Sequence, residues 1–133
     1  MPNWRLFAVV TVGGGLGSAA RLLLGALVQQ RVPVGFPAGT FLINVTGSFL
    51  IGVFSQIGVD TRILSPEARF FLTTGLCGGF TTFSTFSYET LQLVEEDQYG
   101  TAAAYVTASV VVSLIACALG IAAARGLLAW RRT

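Results

Sequence analysis

Residues 73–87 read TTGLCGGFTTFSTFS, three glycines, seven hydroxyl side chains and three phenylalanines in a place where branched aliphatics would be expected. The surrounding stretch, about Ala68 to Val94, is long enough and apolar enough to cross a bilayer. Its middle, however, is unsuited to facing lipid. Glycines and hydroxyls at this density predict close packing against other helices and a local break of the helix, which membrane depth tolerates only inside protein or beside a watery cavity. This segment is therefore expected in the interior of a helical membrane protein.

Three further apolar stretches flank it. Span one runs from about Arg5 to Val28, span two from about Ala38 to Gly58 with Pro37 placed to open the helix, and span four from about Thr101 to Leu128 before WRRT. The chain has 133 residues, 53% hydrophobic and 11% charged. At ~20 residues per crossing, this accommodates four transmembrane helices as a single domain, 1–133, and leaves no room for a soluble one. Arg5, LFAVVTV and the small residues from Gly17 to Ala20 also resemble a signal peptide, but the apolar run continues through Leu22, Leu23 and Leu24.

All eight basic residues are arginines, and the net charge of +2 lacks the long basic run of a nucleic-acid binder. No nucleic-acid partner is expected; the lipid bilayer is. Arg5, Arg62, Arg69, Arg125, Arg131 and Arg132 fall on the side of the termini, against Arg31 opposite, which predicts cytoplasmic termini. Arg21 lies within span one, either snorkelling to an interface or facing a vestibule. Histidine is absent, and the two cysteines, Cys77 and Cys117, read as packing residues. With no paired carboxylates in a span and no nucleophile beside a base, an enzyme has no machinery here.

The GGGLGSAAR run, with Gly15, Gly17 and Ala20, matches a dinucleotide-binding pattern in letters only, because the first carboxylate of the chain is Asp60. Gly13 with Gly17, and Gly75 with Gly79, have instead the spacing that lets helix backbones touch. Two polar stripes stand out. Thr40, Asn44 and Ser48 share one face of span two, and Tyr105, Ser109 and Ser113 share one face of span four. Asn44 could glue helices together or offer N–H groups to an anion. Phe80, Phe83 and Phe86 recur every three residues, and their positive ring edges could favour an anion without holding it tightly.

PAGTFLINVTGSFLIG in span two followed by GLCGGFTTFSTFSYE in span three resembles the fluoride channel family known as Fluc or CrcB, and the likeness in length, spans and motif order extends over the whole chain. The resemblance implies an all-α membrane protein whose third helix is broken, assembled as an inverted (antiparallel) homodimer with two fluoride pores and a structural sodium ion (Na+) at its centre. It implies pore roles for Asn44, Phe83, Phe86 and Ser113, with Thr82, Ser84, Thr85, Tyr105, Ser109 and Thr40 along the polar track. Arg21 would sit in a vestibule, and the backbone carbonyls of Gly78 and Thr81 would hold the sodium. The implied function is passive export of fluoride across the inner membrane of a prokaryote, protecting against its toxicity. Six arginines against one predict a single orientation, whereas an inverted pair needs both. Helix pairing that overrides the charge rule, or a paralogous partner of opposite bias, would reconcile them. A membrane scaffold competes with the channel, while a small-multidrug transporter would need a carboxylate in span one, which holds none.

Overall fold

The computed structural model describes residues 3–32, 35–59 and 63–131, and every regular element among them is helical. Asp60, Arg62 and Arg132 lie outside the described residues. Helix α1 spans Trp4–Gln29, α2 Ala38–Gly58 and α6 Tyr99–Trp130, each long and apolar enough to cross a membrane. The fourth crossing is composite. A short α3 (Pro66–Phe70) continues through a π-helical segment (Phe71–Cys77) into α4 (Gly78–Phe80), the chain opens at Thr81 and Thr82, and α5 (Phe83–Glu95) resumes. At 1.5 Å per residue each half is only about 20 Å long, so the bilayer, roughly 30 Å thick, is crossed by the two together. The protein is thus multi-pass, with the broken third span its sequence predicts.

Local chemistry sets the ends of these elements. Asn3 and Ser65 accept from the amides of Leu6 and Ala68, capping α1 and α3. Pro37 is the residue before α2 and not its first helical residue, and a proline does take the first position in α3, where Pro66 follows its cap. The π-helical segment shows its wider turn where the Gly78 amide reaches the Thr73 carbonyl, five residues back. Asp97, with φ of 59°, makes the sharp turn from α5 into α6.

Glycines decide which helices meet. A Cβ on Gly17 would strike the Leu76 carbonyl and the Phe80 amide, and one on Gly79 would strike the backbone of Gly14, so α1 lies directly on the π-helical segment and α4. The two glycine pairs read from the sequence therefore face each other. Likewise Gly52 meets the Cys117 carbonyl and Gly120 the Phe49 carbonyl, which brings α2 against α6. Phe86, Leu93, Ala102 and Tyr105 form the buried apolar cluster between α5 and α6, closed by Phe36, Phe41 and Val106. Most other large apolar side chains point outward, as a lipid-embedded chain requires.

The two ends differ in charge. Arg5, Arg69, Arg125 and Arg131 gather at the end where α1 begins and α6 finishes, framed by Trp4 and Trp130, and Arg125 donates from Nε to Gln56 Oε1 at 3.2 Å. Glu95, Glu96 and Asp97 occupy the opposite end with Arg31.

Candidate functional site

The site is built on the break. Thr82 caps α5, its Oγ1 accepting from the Thr85 amide at 3.2 Å and donating to Thr85 Oγ1 at 3.0 Å, with Ser84 Oγ 3.3 Å away. Asn44 reaches across from α2. Its Oδ1 accepts from the Thr82 amide at 2.8 Å, and its Nδ2 donates to the Thr82 carbonyl at 3.0 Å. The primary amide thus replaces a backbone partner on both sides of one residue, and keeps a second N–H for whatever lies beside it. Both roles open to Asn44 from its sequence are therefore available at once.

The rearrangement also changes the carbonyls. In an unbroken helix the amides of Thr82 and Thr85 would serve the carbonyls of Gly78 and Thr81. Here those two amides are donated to Asn44 Oδ1 and Thr82 Oγ1. Two carbonyl oxygens lose their helical amide partners at the positions where the resemblance implies sodium, and a hard cation takes oxygen ligands of this kind. The donor set therefore fits such an ion.

A cavity of about 430 Å³ opens on one side of the break, walled by Asn44, Ser48, Thr81, Thr82, Phe83, Phe86, Ser109 and Ser113, with Ile51, Val110, Leu114 and Cys117 completing it. The polar stripes of α2 and α6 meet in this space. Phe83 and Phe86 stand 5.5 Å apart between centroids with planes tilted by 46°. They differ in support: Phe86 is 8% exposed and packed on Tyr105, whereas Phe83 is 78% exposed. The Ser109 hydroxyl is buried and has no hydrogen-bond partner among the described residues.

A second cavity, of about 730 Å³, lies on the other side, where Thr82 again forms part of the wall together with Thr40, Thr85, Arg21, Glu89, Ser18 and Gln29. Arg21 is half-buried, and its Nε has no hydrogen-bond partner among the described residues. Glu89 accepts from Thr40 Oγ1 at 2.8 Å and from Tyr105 Oη at 2.7 Å. Tyr105 itself is fully buried, so its ring is core and its hydroxyl orients Glu89. Ser84 is exposed on the outer side of the cap, and Gly78 lies one turn before the break. Glu89 is the residue that pattern reading passed over. Its signal was present, since an ionisable side chain within a membrane span is a functional candidate by default.

Residues 8–121 match the family described as CrcB-like protein, Camphor Resistance (CrcB). The chain belongs to this family. Among CrcB relatives, a protein of Nitrobacter winogradskyi named "Fluoride-specific ion channel FluC" is 46% identical over 90% of this chain and 94% of its own length. One of the same name from Geobacter metallireducens is 48% identical over 89% of this chain and 95% of its own. Another, from Rhizobium meliloti, is 44% identical over 90% and 95%.

Proposed function

We propose that this CrcB family chain is a passive fluoride-selective channel, exporting fluoride across the cytoplasmic membrane of a prokaryote and so limiting its toxicity. The observation that carries this is the wall chemistry of the cavity at the break: amide and hydroxyl donors share it with two phenylalanine rings, and among the described residues no Arg side chain lines it. Fluoride sheds its water only where donors replace it. The spare N–H of Asn44, the hydroxyl of Ser113 and the rings of Phe83 and Phe86 are the candidates, with Thr82 linking this cavity to the one holding Thr40 and Thr85. Arg21 is the cationic side chain of that second cavity, which serves as the vestibule, and it offsets for an entering anion the Glu89 carboxylate on the same wall.

The exposure of Phe83 supports a second copy of the chain across the open side of the pathway. We take the pair to be inverted, giving two pores, because inversion sets the acidic end of one chain at the same membrane face as the basic end of the other. Sodium, held by the carbonyls of Gly78 and Thr81, would supply a fixed positive charge that ties the breaks of the two chains together.

The test is ion efflux from liposomes containing the purified protein, followed with fluoride and chloride electrodes under matched gradients. Fluoride is expected to leave while chloride is retained, and Phe83→Ile is expected to fold and pair normally yet lose flux, because its ring contributes little to the buried core. Release of neither ion from well-folded protein would refute the channel. Loss of pairing with the Phe83 variant would instead favour a scaffold.

A further inference from the structure

Two arginines from different helices converge on the last turn of α2. Arg125 of α6 donates from Nε to Gln56 Oε1 at 3.2 Å, while the stem of Arg69 in α3 lies across Gly58, where a Cβ would stand 2.6 Å from its Cδ. The Arg69 guanidinium also rests 5.5 Å from the centroid of the Phe70 ring. Both side chains are thus held by their neighbours although exposed, and among the described residues neither makes an ion pair. Glu67 is the one carboxylate among the described residues at this end, against Arg5, Arg69, Arg125 and Arg131. Trp4 and Trp130, 71% and 77% exposed, set the same end at the depth of lipid headgroups.

We propose that this junction of α2, α3 and α6 docks one anionic phospholipid whose phosphate is joined to a neutral polyol. Membrane depth makes a headgroup the neighbour of the two guanidinium groups, and their planar forks match phosphate oxygens. Net charge then chooses among headgroups. A choline or ethanolamine would carry its own cation into a cluster of four arginines, whereas a polyol brings hydroxyls, which can accept from the Gln56 Nε2 that Arg125 leaves unused. Each arginine close to an anionic bilayer surface is worth roughly fivefold in lipid affinity. The opposite end, where Glu95, Glu96 and Asp97 stand with Arg31, repels such a lipid. None of Gln56, Arg69 and Arg125 lines either cavity, so the proposal does not depend on the channel assignment.

The experiment places the full chain in phosphatidylcholine bilayers containing a small fraction of phosphatidylglycerol, with bromine on the acyl chains of one lipid or the other. Trp4 and Trp130 are the chain's two tryptophans, so quenching of their fluorescence reports the lipids at this end alone. Phosphatidylglycerol is expected there at roughly fivefold or more over its bulk share. Arg69→Gln combined with Arg125→Gln should lower that ratio several-fold, whereas Arg69→Lys with Arg125→Lys should preserve it, and so should Arg31→Gln at the far end. Undiminished enrichment in the glutamine pair, its loss in the lysine pair or in Arg31→Gln, or quenching by each lipid in proportion to its share would each overturn the proposal. So would displacement by inorganic phosphate beyond that caused by sodium chloride of equal ionic strength, because the ligand would then be a free anion and not a lipid. Fluoride flux enters none of these readings, so failure of the channel reading and failure of the lipid site are told apart.

Discussion

Removing the amide of Asn44 should open a defect at the one place where the backbone of the third span lacks its helical partners. Thr82 is 8% exposed, so Asn44→Ala strands its amide, and it also deletes the 3.0 Å bond to its carbonyl. An orphaned buried N–H costs ~1–3 kcal/mol, whereas a single interhelical bond inside a membrane averages ~0.6 kcal/mol; together they give about 2–3 kcal/mol. At ~1.4 kcal/mol per decade this is roughly a 30- to 150-fold rise in the unfolding constant. Equilibrium unfolding in mixed micelles, followed by the fluorescence of Trp4 and Trp130, measures it. Ser48→Ala, one turn further along the same face, is the comparison and is expected to change stability by no more than ~0.5 kcal/mol. If Asn44→Ala unfolds like Ser48→Ala, the amide does not hold the break and its whole importance must lie with the ion.

Gly17→Ala places a methyl against the Leu76 carbonyl and the Phe80 amide and should destabilise by ~1–3 kcal/mol, while Gly126→Ala, with open space around it, should be neutral or mildly stabilising. Thermal unfolding of the two variants side by side reads the difference. Tyr105→Phe keeps the ring in the core but deprives Glu89 of a donor at 2.7 Å, with an expected loss of ~1–2 kcal/mol in the same measurement. Arg21→Gln should slow fluoride efflux several-fold at low ionic strength, with the gap closing as salt shortens the Debye length to about 10 Å at 0.1 M.

Much of the architecture was legible because a bilayer imposes length. Apolar runs from Arg5, Ala38 and Thr101 could hardly end elsewhere, and α2 ends where its composition changes. The interruption of the third span was legible from its glycines and hydroxyls, and it falls at Thr81 and Thr82. Less visible was the partner choice of each glycine pair, because a spacing of four marks a smooth face without saying what rests on it. The site was legible as two stripes, and the cavity gathers most of both. Tyr105 departed from its stripe because a large ring finds more contact between Phe36 and Phe86 than in a wet space. Glu89 stayed hidden because a lone acid near a helix end looks like a surface residue until Thr40 and Tyr105 are seen to hold both its oxygens.

The clasp between Asn44 and Thr82 has a bearing on the order of assembly. Residues 80–83, Phe-Thr-Thr-Phe, contain no proline, so nothing local forbids the Thr82 amide from bonding to the Gly78 carbonyl. A peptide of residues 66–95 placed alone in lipid would be driven to close that bond and form one uninterrupted rod, since the hydrocarbon offers its amide nothing else. The opening is held from two sides, by the local cap that the Thr82 hydroxyl makes on α5 and by Asn44, 38 positions away on another helix. Without α2 docked, the break is expected to keep only its local cap, so the third span is expected to be more regularly helical in a partly folded chain than in the folded protein.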